Sequence, residues 1–190
     1  MNMSKESAVD TWCEDLKQSA QLHKPSLLLE AWLSSAGSLT QQLQQHFSEL
    51  AYQLLYADMS PIDEQERQFL HVDSQSCWTR YVWFGEKTEH YVFSKVVVAP
   101  ALTVELGNAI EQWGAKPLGQ LLFQEGGRVR EKIQYQFLSS EHPYLLALQH
   151  YLPCVIPGCW ARRSICYYQQ QPMMVVDLFL PDLVKRLSYA

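Results

Sequence analysis

The clearest hydrophobic pattern in the chain lies in CWTRYVWFGEKTEHYVFSKVVVAP, residues 77–100. Two runs rich in Val, Tyr, Trp and Phe flank the polar GEKTEH, which predicts a β-hairpin pairing about 77–84 with 90–98. A second hairpin is predicted near the C-terminus, Arg162–Tyr168 with Met173–Leu180 across Gln169–Pro172. Its second strand, MMVVDLFL, is apolar at every position but Asp177. A continuous apolar run is the signature of a strand covered on both faces, and a carboxylate there must neutralise, find a cation or meet a polar ligand.

Helical spacing marks the rest. Pro25 opens SLLLEAWL, a helix that Gly37 ends, and in GSLTQQLQQHF the pair Ser38 and Gln41 resembles a capping box for a helix to about Phe47. Leu50–Tyr56 begins a strand, and MSPIDEQERQF reads as loop or short helix. LTVELGNAIEQWG is helical to about Gly114, Pro117 starts a short helix, Arg128–Leu138 alternates as a strand, and HPYLLALQHYL is a helix inserted between strands. Residues 1–24 are polar, a loosely attached segment or a short helix, and 25–190 form the folded domain. Strands reached mostly by hairpins, with helices in separate runs, predict a single α+β domain with a central antiparallel sheet.

Composition narrows the partners. At 190 residues the chain can bury a core without a metal or disulfide scaffold, and its net charge of −5 gives no basic field for nucleic acid. No apolar stretch reaches membrane-span length and the N-terminus has no secretory h-region, so the expectation is a cytoplasmic protein outside the membrane. The five cysteines are irregularly spaced, as suits reduced thiols. His150, Cys154 and Cys159 offer imidazole and thiolates to zinc, but no fourth ligand is evident and no metal is expected. GxGxxG, GxxxxGK[ST] and GxSxG motifs are absent, which removes dinucleotide, P-loop and serine-hydrolase chemistry.

What remains is arginine in strands: Arg80 in the first hairpin, and Arg162 and Arg163 at the head of the strand that pairs with the Asp177 strand. Either they close an internal salt bridge with Asp177, or their planar forks line a pocket for an organic anion.

The stretch WARRSICYYQQQPMMVVDLFLP (160–181) resembles the C-terminal signature of the chorismate pyruvate-lyase family: Trp-x-Arg-Arg-Ser, a turn, Pro, an apolar run, an acid, then Leu-Phe-Leu-Pro. WGAKPLGQLLF (113–123) resembles that family's Gly-x-x-Pro-Leu-Gly-x-x-Leu-Phe block, GSLTQQL (37–43) stands where it carries a Ser-Met-Thr segment, and Trp78-x-Arg80 matches its strand arginine. The resemblance implies an antiparallel sheet with helical flaps over an internal pocket. It further implies a monomeric enzyme that converts chorismate to 4-hydroxybenzoate and pyruvate without a cofactor, the first committed step of ubiquinone biosynthesis. Carried over, it gives Arg80 and the backbone of Leu39 and Leu118 to the ring carboxylate. Asp177 goes to the 4-hydroxyl end, with Arg80 and Asp177 as the catalytic pair, and Lys95, Arg162 and Arg163 are candidates for the second carboxylate. Leu39 follows the cap Ser38 and Leu118 follows Pro117, so both amides fall in first helical turns, where unpaired N–H groups favour an anion. The family carries Glu, one methylene longer, at the position of Asp177, and often Arg at Lys95. The alternative from another class is a non-catalytic module of the same fold that binds a small carboxylate, like the effector domains of some transcription regulators.

Overall fold

A computed structural model describes residues 11–107, 110, 128–152 and 155–189, with residues 128 and 129 as backbone alone. Six strands form one antiparallel sheet: β1 (Ala51–Pro61), β2 (Ser76–Glu86), β3 (Glu89–Val98), β4 (Arg128–Ser139), β5 (Gly158–Tyr168) and β6 (Gln171–Phe179), in the spatial order β1-β2-β3-β6-β5-β4. Seven helices accompany them among the described residues: α1 (Leu16–Ser19), α2 (Leu27–Ser34), α3 (Leu39–His46), α4 (Glu64–Leu70), α5 (Pro100–Leu106), α6 (Pro143–Gln149) and α7 (Pro181–Leu187). This is the α+β, single-sheet architecture that the hairpin pattern predicts.

Local chemistry sets the element ends. Ser26 and Ser38 cap α2 and α3 by accepting from the amides of Leu29 and Gln41. The polar MSPIDEQERQF stretch divides: Met59, Ser60 and Pro61 finish β1, then Asp63 and Glu66 form a reciprocal capping box that starts α4. Pro61 is tolerated in a ladder because β1 is an edge strand. The opposite edge, β4, is partly covered by the N-terminal segment, where Cys13 exchanges both backbone hydrogen bonds with Tyr135 at 3.1 and 2.8 Å.

Two turns fix the register. The C-terminal hairpin closes on Gln169 and Gln170 alone, both at positive φ (47° and 66°), so Tyr168 pairs with Gln171 and Arg162 with Asp177. In the first hairpin the register slips between Phe84 and Gly85, which places Arg80 across from Val96 and Tyr81 across from Lys95. Gly85 is required there, because a Cβ would stand 2.0 Å from the Glu89 carbonyl oxygen.

Residues alternate between the two faces. One face of the sheet carries Trp83, Phe93, Val97, Met174, Val176 and Leu178 against Phe69 and Leu70 of α4 and Leu145 and Leu148 of α6. On the other face, Val82, Phe84, Val92, Trp160 and Phe179 pack under α2, α3 and α7. Farther along that same face Trp78, Val96, Val98, Cys166, Met173 and Val175 pack around Leu102 of α5. Both faces of β6 are therefore buried, which accounts for its unbroken apolar run.

Candidate active site

Between the two apolar clusters of the second face runs a band of buried polar side chains. Val82, Ser94, Asp177 and Arg162 are successive cross-strand partners on β2, β3, β6 and β5, and Tyr135 of β4 ends the row. The neighbouring row is Arg80, Val96, Val175 and Ser164. Arg80 and Asp177 thus share one face, two strands and roughly 10 Å apart with β3 between them.

Asp177 is only 1% exposed and is held from three sides. Ser94 Oγ donates to its Oδ1 at 2.6 Å, while Arg162 Nη2 and Arg130 Nη1 each reach its Oδ2 at 3.0 Å. Burial by itself would raise the Asp177 pKa, but Arg130, Arg162 and the Ser94 bond outweigh it and hold the carboxyl below the usual carboxylate range. It is ionised at neutral pH.

The two guanidinium groups on Asp177 differ. Arg162 is wholly buried, and its Nη1 donates to the carbonyls of Trp32, Leu33 and Ser35 at 3.3, 3.1 and 2.6 Å, tying the C-terminal turn of α2 to the sheet. Arg130 remains partly accessible, with 11% of its side chain exposed, and bridges Asp177 to Ser164 Oγ at 2.9 Å. The sequence reading missed Arg130. The available signal was an arginine in a strand pairing with the RRS strand, but two irregularities in the β4–β5 ladder obscure its facing.

Arg80 is 1% exposed, donates to the Tyr52 hydroxyl and lies over the Tyr52 ring at 5.6 Å. Burial lowers its pKa, and that of Arg162, to about 10, so both stay charged at neutral pH. Leu39 is the first residue of α3, its side chain packed in the apolar cluster at one end of the polar band. Leu118 and Pro117 lie outside the described residues.

Lys95 and Arg163 do not join this group. Both point from the opposite face, in the row Tyr81, Lys95, Val176, Arg163 and Gln134. Lys95 Nζ pairs there with Glu66, which also accepts from Tyr144 Oη at 2.9 Å. Arg163 bonds Gln134 Oε1 at 2.9 Å and stacks over Trp12 and Phe69. A ligand on the Asp177 face cannot touch either side chain through the sheet, so the expectation of second-carboxylate contacts from Lys95 and Arg163 meets the wrong side of the backbone. Arg162 is on the right side, with both terminal nitrogens engaged by protein groups.

Of the His150, Cys154 and Cys159 grouping, Cys159 is buried in an apolar setting that pushes its thiol pKa well up, and Cys154 lies outside the described residues. Among the described residues no three or more His, Cys, Asp or Glu side chains stand together as a metal site. No helix among them is long and apolar enough to cross a membrane.

The chain matches the family described as chorismate lyase over residues 10–188. It is 32% identical over 156 residues to a protein from Methylobacillus flagellatus described as a probable chorismate pyruvate-lyase, covering 81% of this chain and 87% of that one. A protein of the same description from Pseudoalteromonas atlantica is 32% identical over 170 residues, covering 85% and 83%. Among solved structures, the effector domain of PhnF from Mycobacterium smegmatis superposes with a TM-score of 0.56 at 13% identity, over 78% of this chain and 91% of that one. A GntR-family transcriptional regulator from Bacillus cereus gives 0.51 at 6% identity, over 70% and 93%. At such identities these two share the fold. The match across nearly the whole sequence, joined to a sheet face that groups the arginines with the acid, makes this chain a member of the chorismate lyase family.

Proposed function

We propose that this protein is a cofactor-independent, monomeric cytoplasmic enzyme that converts chorismate to 4-hydroxybenzoate and pyruvate, the first committed step of ubiquinone biosynthesis. The observation that carries the reading is the polar band itself: buried arginines and one ionised acid set between two apolar clusters on a single sheet face. An apolar-walled site with a few converging charges suits an aromatic carboxylate.

In this reading Arg80, with the amides of Leu39 and Leu118, holds the ring carboxylate. Asp177 lies toward the C4 end. Elimination removes the C4 proton, breaks the C3 ether bond and releases the enol of pyruvate, and aromatisation supplies the driving force. Two guanidiniums make Asp177 a weak base, which supports a role in orientation and charge over one in proton abstraction. The proton then passes to the departing enolpyruvyl group, and the protein contributes position and electrostatics.

The test is to incubate purified protein with chorismate and follow pyruvate by a coupled dehydrogenase assay. Stoichiometric pyruvate and 4-hydroxybenzoate are expected. A thermal shift with 4-hydroxybenzoate but no pyruvate release would leave a binding module and end the lyase reading.

A further inference from the structure

Removing Lys95 and Arg163 from the site face, with Arg162 committed to the α2 carbonyls, leaves the substrate's second carboxylate without the partners that the sequence suggested. Among the described residues, charge on that face does not balance either. Asp177 carries one negative charge, and two guanidiniums, Arg130 and Arg162, share its Oδ2. The cluster holds one surplus positive charge in a largely desolvated setting, a costly arrangement unless an anion joins it.

The two cations are not equivalent in reach. Arg162 is wholly buried, with both terminal nitrogens bonded to protein, whereas Arg130 makes its contacts to Asp177 and Ser164 through Nη1 and keeps 11% of its side chain accessible. A guanidinium has five N–H donors in a planar fork, so Nη2 and Nε of Arg130 retain the geometry for a bidentate carboxylate contact. We propose that Arg130 is the substrate-binding residue for the enolpyruvyl carboxylate, with Asp177, Ser164 and the Arg162–Asp177 pair fixing its orientation. The role rests on the lyase reading above and extends it: Arg80 takes the ring carboxylate, which substrate and aromatic product share, and Arg130 takes the carboxylate that only the substrate has.

The test separates the two carboxylates. Arg130→Met leaves Arg162 and Asp177 as a matched pair, so the protein should stay folded, checked by thermal melting. Its KM for chorismate should rise roughly 10- to 100-fold, the loss of one charged contact, while the Kd for 4-hydroxybenzoate stays within about threefold. Arg130→Lys should recover part of the chorismate affinity. An unchanged chorismate KM overturns the assignment, and so does an equal loss for both ligands, which marks Arg130 as structural. If the wild-type protein releases no pyruvate, the lyase reading fails, and equilibrium Kd values for chorismate and 4-hydroxybenzoate still decide the role of Arg130. Wild-type protein that binds neither ligand overturns both.

Discussion

Asp177 stands directly across the β5–β6 ladder from Arg162, and the two side chains meet at 3.0 Å with the Arg162 guanidinium wholly buried. Removing the acid leaves Arg162 and Arg130 buried side by side without a counter-charge. Asp177→Asn should therefore lower unfolding stability by about 3–5 kcal/mol. A fall in the urea midpoint at unchanged m-value checks it, and a loss under about 1 kcal/mol would mean water screens the cluster.

The same carboxylate imposes a pH dependence. Its folded pKa lies below the ordinary carboxylate value, so the stabilisation is complete above about pH 4 and is lost as pH falls through the folded value. The melting temperature of the wild type should fall more steeply below about pH 4 than that of Asp177→Asn.

Arg80 donates to the Tyr52 hydroxyl and shares the sheet face of Asp177, with β3 between them. Arg80→Ala should leave a folded protein and lower kcat/KM for chorismate by roughly 100-fold or more. It should weaken 4-hydroxybenzoate binding as well, since product keeps the ring carboxylate. Near-normal turnover would remove Arg80 from the site.

On the opposite face, Glu66 is 2% exposed and receives both Lys95 and Tyr144. Glu66→Ala should destabilise by about 3–5 kcal/mol because it strands a buried ammonium. The fraction that remains folded should keep its chorismate KM, measured well below the lowered melting temperature.

Gln169 and Gln170 form a two-residue turn with both φ positive, a conformation that non-glycine residues adopt at a cost. Gln170→Gly should raise stability by about 1 kcal/mol without changing KM, read from the urea midpoint.

That turn also explains what the sequence could and could not reveal. Hairpins and doubly buried strands were legible as unbroken apolar runs, and the one charge inside MMVVDLFL marked the buried polar band. Glutamines do not announce a two-residue turn, and a loop of four, Gln169–Pro172, would pair Arg162 with Phe179 in place of Asp177. Arg162 and Arg163 are adjacent, so a strand must send them to opposite faces, and only the register says which one meets the acid. Arg130 escaped notice because β4 slips twice before its regular pairing with β5 begins. The residues of the family block at 113–123 lie outside the described structure, so Leu118 keeps the role that resemblance gives it as a proposal.

Gly85 carries the widest consequence. Were β2 and β3 to pair straight from their turn, with Glu86 opposite Glu89 and no slip, Arg80 would sit across from Lys95, and the ammonium would share its side of the sheet. The slip at Gly85 instead sets Arg80 across from Val96, on the face that carries Ser94 and Asp177, while Lys95 keeps the opposite face with Glu66. A single missing side chain thereby decides whether the first hairpin's arginine keeps company with the acid or with the lysine.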